Sequence, residues 1–344
     1  MTYRVLLTSV GGGLGPVNVK SFQACTRRKV SVLGVDTRAD AAGRYFADAF
    51  ATVPPGDDPA YLDAILTLLE KQPVDLILPC SDEEASALAK GRAEIEKTGA
   101  TLAAVDSALL ETMRDKAASY RLLDAHGIAT PQGEVAETVS ALDRAIERML
   151  DLHGEIAAKP MISRGSRDTF IVCRDIVGID DPNDGREIYC DLASFRERFI
   201  LRLRTLLPVV VMERLLPPAY DIDVLTWQGQ LLRAAPRRRI NTGGVPFRGG
   251  VIEMRPDLLD VAERVTRAAN MSWLYDYDIM MRRSGEPVVM ELNPRPSGSI
   301  AAAIAAGIPF YDDLISLALG ETLPDIAMPS GVTVMPYTDV AVLR

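Results

Sequence analysis

The stretch Glu291-Leu292-Asn293-Pro294-Arg295-Pro296-Ser297-Gly298 spaces a carboxylate, an amide oxygen and a guanidinium at alternate positions. It closes an apolar run, Val288-Val289-Met290, that reads as a strand. Side chains alternate along a strand, so Glu291 and Asn293 face the same way, and Arg295 continues the row while the chain stays extended. Asp278 lies in the preceding run, 275–282, and a turn at Ser284-Gly285 folds the two runs into a hairpin. Two carboxylates and an amide oxygen make a hard oxygen set suited to Mg²⁺. Two such ions can bridge triphosphate oxygens during phosphoryl transfer, and Arg295 adds a planar charge for the developing negative charge. An acidic strand end running into a proline-rich turn has the same composition, so the octapeptide needs company before it means chemistry.

Company comes from two lysines. Lys159 ends the apolar run Ile156-Ala157-Ala158, where a charge is costly without a partner, and a phosphate is an obvious one. Lys116 opens a helical pattern further back. After Lys159, Ser163-Arg164-Gly165-Ser166 is small and polar enough to bring backbone N–H groups, and Ser166, close to phosphates. The run Val209-Val210-Val211-Met212-Glu213-Arg214-Leu215 offers a strand edge whose backbone at Glu213 and Leu215 can bind an adenine. Asp221 and Asp223, again two apart and on one face, can hold ribose or solvent. Arg237-Arg238-Arg239 is the densest basic spot, followed by Asn241-Thr242-Gly243-Gly244. It is either a solvated strand face or the approach to a loop that touches substrate, with Arg237 the candidate.

Three kinds of element must position these groups. Residues 1–112 alternate strands (5–8, 30–36, 74–79) with helices (17–28, 59–71, 82–98), which implies a parallel, doubly wound sheet whose ligands bind at the carboxyl ends of its strands. Residues 113–208 begin with a helix at 115–126 closed by Gly127. A second helix is expected to be capped by Ser140 with Asp143, and strands 155–159 and 169–173 and a helix at 195–204 follow. From Val209 onward the chain is strand-rich, with a helix at 258–270 before the hairpin. His126 and His153 fall at helix ends, where a positive charge is mildly favoured.

Composition narrows the class. The 344 residues are 48 % apolar and 25 % charged, an ordinary globular balance. The formal net charge of −9 argues against nucleic acid as a partner, because phosphates must be neutralised. Met1 leads straight into a strand, and no apolar run is long enough to cross a membrane, so a cytoplasmic protein without membrane contact is expected. Cys25, Cys80, Cys173 and Cys190 show no CxxC spacing and read as free thiols.

In this order the pieces resemble the ATP-grasp superfamily, and within it the ligases similar to the carbamoyl phosphate synthetase large subunit. The family's Asp-Lys helix start matches Asp115-Lys116, its Lys-Pro pair Lys159-Pro160, and its flexible flap 163–170, although Arg167-Asp168-Thr169 stand where consecutive glycines are usual. Its hinge Glu matches Glu213, its ribose-side acid Asp221, and its Glu-x-Asn-x-Arg sequence Glu291, Asn293 and Arg295. The resemblance implies an α/β chain, α+β in the nucleotide part. A doubly wound domain (1–112) would precede a two-lobed ATP-grasp domain (113–208 and 209–344). It implies ATP held by Lys116, Lys159, Ser166, Glu213, Leu215 and Asp221. Mg²⁺, or Mn²⁺ in its place, would sit on Asp278, Glu291 and Asn293, and Arg295 and Arg237 would be the catalytic groups. The implied reaction phosphorylates a carboxylate to an acyl phosphate and passes the acyl group to an amine, in a chain that can form a homodimer. A nicotinamide dehydrogenase is disfavoured, because Gly11-Gly12-Gly13-Leu14-Gly15-Pro16 lacks the G-x-G-x-x-G spacing. Carbamoyl phosphate synthesis and a non-catalytic ATP-binding regulator remain the alternatives.

Overall fold

The structure is a computed structural model, and it describes residues 2–161, 168–180, 187–240 and 247–337. It contains three sheets. The first joins β1 (Tyr3–Leu7), β2 (Val30–Asp36), β3 (Ala49–Thr52), β4 (Leu76–Leu78) and β5 (Thr101–Leu102), all parallel, in the order β3-β2-β1-β4-β5. Alternation along β1 sends Val5 and Leu7 to one face and Leu6 to the other, so both faces are buried. Helix Gly15–Gln23 covers the first face through Val19 and Phe22. Helix Tyr61–Lys71 covers the second with Tyr61, Ile65, Leu68 and Leu69, one stripe at helical spacing. The expected doubly wound sheet is present. The helix expected at 82–98 is broken by Gly91 into Asp82–Lys90 and Arg92–Lys97.

The glycine-rich loop after β1 serves the fold. A Cβ on Gly15 would lie 1.9 Å from the carbonyl oxygen of Val10, so only glycine fits there. Gly11 N donates to Asp36 Oδ2 at 2.7 Å, and Arg38 N to Asp36 Oδ1 at 3.0 Å. Asp36 is thus committed to its own loop, which removes the acid that a dinucleotide ribose would need.

The second sheet orders β6 (Gly133–Ala136), β7 (Glu155–Pro160), β8 (Thr169–Cys173), β9 (Ile179–Asp180), β10 (Glu187–Cys190) and β11 (Val209–Glu213) as β6-β11-β7-β8-β10-β9. Its only parallel pair among the described residues is β10 with β8. Helix Val139–His153 packs on one face through Leu142, Ile146, Met149 and Leu150. Its cap is Thr138, which accepts from Ala141 N at 3.1 Å; Ser140 lies inside the first turn, so the expected cap is two residues late. The helix expected at 195–204 is two short ones, Leu192–Arg198 and Ile200–Arg204, stepping at Phe199.

The third sheet is antiparallel, from β12 (Leu216–Trp227), β13 (Gln230–Arg239), β14 (Gly250–Ile252), β15 (Trp273–Met281), β16 (Pro287–Asn293) and β17 (Val332–Val334), in the order β16-β15-β12-β13-β14-β17. One face carries Tyr220, Ile222, Val224, Tyr275, Tyr277 and Ile279 and packs against helix Pro256–Ala268 and the helices Ser107–Arg114 and Lys116–Ala125. The opposite face is apolar at one end, where Leu225, Ala235 and Ile252 meet Val5, Leu7, Phe22, Phe310 and Leu314. Phe22 stacks flat on Tyr311 at 3.7 Å. An ionic clamp closes this junction. Asp313, fully buried, takes Arg27 at 2.5 Å and Arg233 at 2.8 Å, while Asp312 accepts the backbone N–H groups of Thr26 and Arg27. No helix of the described residues is long and apolar enough to cross a membrane.

Candidate active site

At its other end the same face of the third sheet is charged, and strand register explains why. Arg237 pairs with Asp221, Asp221 with Asp278, and Asp278 with Glu291, forming one row across four strands. One step along, Asp223 pairs with Asp276, and Asp276 with Asn293. The hairpin register therefore brings the expected metal set, Asp278, Glu291 and Asn293, onto two adjacent strands. The register slips between Asp278 and Ile279, leaving Met290 as an extra residue whose side chain turns to the second sheet.

Two lysines reach this row, Lys116 from the helix packed on the third sheet and Lys159 from the second sheet. Asp115 caps the helix Lys116–Ala125 by accepting from Ala117 N and Ala118 N, which aims buried Lys116 inward. Lys116 Nζ sits 2.9 Å from Glu291 Oε1 and donates to the Met161 carbonyl oxygen at 3.3 Å. Lys159, on β7, is half-buried. Burial and then the nearby Lys116 charge push its ammonium down to about 8, against the pull of Glu291 and Asp278. Burial works against the Glu291 charge, but Lys116 and then Lys159 outweigh it and hold that carboxyl below its usual range. Burial pushes Asp278 up to about 6, opposed by Arg239 and reinforced by Asp221 and Glu291.

Beside Lys159 the second sheet presents Ala157, Ile171, Cys173, Val210 and Met212, with Met290 from the third sheet against them. This is an apolar slot between two sheets, of the character a purine ring needs. Met212 faces the slot while Glu213 faces away: Gln132 N donates to Glu213 Oε1 at 2.8 Å, and Arg282 Nη2 sits 3.0 Å from the same oxygen. What Glu213 and the buried Leu215 offer a base is their backbone. Ser166 and the loop 241–244 lie outside the described residues.

Two expectations change. Arg237 is on β13, not in a loop, and is completely enclosed. Its Nη1 lies 2.9 Å from Asp221 Oδ2, its Nη2 3.4 Å from Asp223 Oδ2, and its plane sits 4.9 Å from the Phe247 ring. Its guanidinium is engaged by these two acids. Asp221 is likewise engaged, by Arg237 and by Arg239, which also lies 2.8 Å from Asp278. Burial raises Asp221, but Arg239 and Arg237 outweigh it and leave the carboxyl below its usual range.

Sequence reasoning missed Asp276, Arg239, Met290 and Asp82. Asp276 was within reach, being two residues before Asp278 and so on the same face. Asp221, Asp276 and Asp278 place oxygens within 4.8 Å of one another. Asn293 Nδ2 donates to Asp276 Oδ2 at 2.9 Å, and Asp276 Oδ1 has no partner among the described residues. Burial, then Asp223 and Asp278, raises the Asp276 carboxyl well above its ordinary value. The Arg239 signal was visible only as part of a basic triplet. Asp82, more than 200 residues from Arg295 in sequence, carries no local signal for the 3.1 Å contact between them.

A parallel sheet is thus followed by two further sheets, with Lys159 from the second and Lys116 from a helix packed on the third facing the carboxylates of the third. Residues 205–340 match the family model described as ATP-grasp in the biosynthetic pathway with Ter operon, and residues 5–103 match the PylC-like N-terminal domain. Residues 205–340 thus carry an ATP-grasp domain by that match. The chain is 22 % identical over 294 residues to the carbamoyl phosphate synthase large chain of Thermus thermophilus, a match over 81 % of this chain and 26 % of that protein. The chain thus spans about a quarter of the length of the curated relatives it matches. N5-carboxyaminoimidazole synthetase of Staphylococcus aureus, complexed with ADP, superposes with a TM-score of 0.67 at 16 % identity, covering 94 % of this chain and 79 % of its own. The L-amino acid ligase of Bacillus licheniformis gives 0.64 at 14 % identity, over 92 % and 74 %. The biotin carboxylase domain of the Hydrogenobacter thermophilus 2-oxoglutarate carboxylase, a dimer with MgADP and bicarbonate, gives 0.68 at 14 %, over 93 % and 70 %.

Proposed function

We propose that this protein is an ATP- and Mg²⁺-dependent ligase that phosphorylates a carboxylate and joins its acyl group to an amine. The observation that carries this reading is the convergence of Lys116, Lys159 and Arg295 on Asp278, Glu291 and Asn293. An acidic and amide oxygen set facing two ammonium groups fits a metal-bound triphosphate and little else of that size. The apolar slot between Met212 and Met290 takes the base, the backbone at 213–215 its edge, and Lys116 and Lys159 the phosphates. Ser166, on the loop after Lys159, belongs to the same phosphate end. Asp278, Glu291 and Asn293 hold Mg²⁺, with Mn²⁺ as a substitute. When bound, the metal neutralises and orients the triphosphate.

In the first half-reaction a carboxylate oxygen bonds to the γ-phosphorus as the bond to the ADP oxygen breaks, leaving an acyl phosphate. In the second, the amine nitrogen bonds to the carbonyl carbon, the C–O bond to phosphate breaks, and the amine loses a proton. Arg295 is the fixed cation at the carboxylate, and Arg237 and Arg239 keep the acids of the row in register. The protein's contribution is positioning and charge, which matches a site with no nucleophile–base pair. The division into 1–112, 113–208 and 209–344, a cytoplasmic location and a homodimer belong to the same proposal. Bicarbonate is a second candidate for the phosphorylated acid, favoured by the similarity to the carbamoyl phosphate synthase large chain.

The test is ADP and phosphate release with Mg·ATP across a matrix of amino acids, small carboxylates, bicarbonate and amines, run beside Glu291→Ala and with a chelator. Release that requires an acid–amine pair and is lost in the variant and on chelation is expected. Equal background in wild type and variant, with ATP still bound, would move the non-catalytic regulator ahead.

A further inference from the structure

The first sheet changes direction between β1 and β4, and such sheets bind ligands outside the carboxyl ends of their strands at that point. Here the position is occupied by the start of helix Asp82–Lys90. Ser81 caps it, accepting from Glu84 N at 3.3 Å, and Glu84 turns inward to accept from Thr8 Oγ1 at 2.5 Å and Ser9 Oγ at 2.8 Å. The helix start is therefore locked to the end of β1. Asp82 takes no part in this lock. It points out of the first sheet at the third, and its Oδ1 lies 3.1 Å from Arg295 Nε.

That oxygen is screened from water and accepts no hydrogen bond among the described residues, so the guanidinium charge is what compensates it. The other edges of Arg295 are held too. Nη1 donates to the Pro296 carbonyl oxygen at 3.2 Å and Nη2 to Asn293 Oδ1 at 3.4 Å. A guanidinium has five N–H groups in one plane. Contacts at Nε, Nη1 and Nη2 fix that plane, and Asp276 Oδ2 lies a further 3.9 Å from Nη1.

We infer that Asp82 is a positioning residue that sets the Arg295 guanidinium for the substrate carboxylate, so that the first sheet takes part in the catalytic centre. The inference rests on the ligase reading for what Arg295 binds, but the Asp82 contact can be tested without any substrate. Asp82→Asn keeps the side-chain shape and Asp82→Ala removes it; Ser81 continues to cap the helix in both. In the first measurement a dicarbonyl reagent modifies the full chain and peptide mapping reads the rate at Arg295, with Arg27 as the internal control. Release of Arg295 should speed its modification at least about threefold in both variants, with Arg27 unchanged. In the second, on the acid that supports turnover, KM for the carboxylate should rise about tenfold while KM for ATP stays within about twofold. Equal Arg295 modification rates in wild type and both variants would overturn the inference. So would a parallel rise of both KM values, the mark of a strut between domains. A wild type silent on every acid would sink the ligase reading, and the modification rates would still decide Asp82.

Discussion

Lys159 gives the sharpest quantitative test, because its proton should report on nucleotide binding. The free protein holds its ammonium down at about 8, from an ordinary 10.5, through burial and the adjacent Lys116 charge. That displacement corresponds to at most about 3 kcal/mol of penalty on the charged form. A phosphate beside it restores the charge. At about pH 8 roughly half of the free protein lacks this proton, so binding Mg·ATP should take up about 0.5 proton, rising toward about 0.9 near pH 9 and falling to about 0.1 near pH 7. Affinity should accordingly drop about tenfold between about pH 7 and pH 9. Stability moves oppositely to affinity: folding depresses this pKa, so between about 8 and 10.5 the unfolded chain binds more protons. The free protein therefore gains stability from this site as pH rises through that window. Titration calorimetry in buffers of different ionisation enthalpy measures the uptake directly. Lys159→Met should abolish both the uptake and the pH slope. If uptake at about pH 8 were below about 0.1, or persisted in Lys159→Met, phosphate binding at Lys159 would be refuted.

Other consequences are simpler to check. Asp313→Ala leaves Arg27 and Arg233 facing each other at a buried junction and should cost about 3 kcal/mol in chemical denaturation, whereas Arg4→Ala, on a surface pair, should cost under about 1 kcal/mol. Gly15→Ala drives a methyl into the Val10 carbonyl and should lower stability by more than about 2 kcal/mol, read as a loss of melting temperature. Burial pushes the Cys25 and Cys190 thiols up to about 12, so a thiol reagent near neutral pH should label them at least about a hundredfold more slowly in the native than in the unfolded protein.

Much of this was legible in sequence where a local rule applied. The parallel sheet followed from apolar runs alternating with helical stripes, and the hairpin that joins Asp278 to Glu291 followed from period-two alternation around Ser284-Gly285. The helix beginning at Asp115-Lys116 was legible through its closing Gly127, and its start through the family resemblance. What stayed hidden depends on pairing between distant segments. Nothing near Arg237 says that β13 runs far enough beside β12 to seal it against Asp221 and Asp223; its neighbours Arg238 and Arg239 made the triplet look solvated. Short edge strands such as β6 and β17 carry few apolar residues, so their pattern is too brief to separate from loop. The Thr138 cap was missed because Ser140 offers the same chemistry two positions later, and packing of Leu142 and Ile146 decided between them.

The buried junction of Phe22, Tyr311, Leu314 and Leu225, clamped by Asp313, makes the first and third sheets a single block. The second sheet meets that block across the narrow slot lined by Met212, Ala157 and Met290, and through Arg282 on Glu213 and Arg283 on Glu155. Mechanically the molecule resembles a vice whose fixed jaw carries both the acid row and the carboxyl ends of β1 and β4. The span from Arg295 to the carboxyl ends of β1 and β4 is machined into the fixed jaw when the chain folds. Under the ligase proposal, a nucleotide in the slot would sit as a shim between that block and the second sheet.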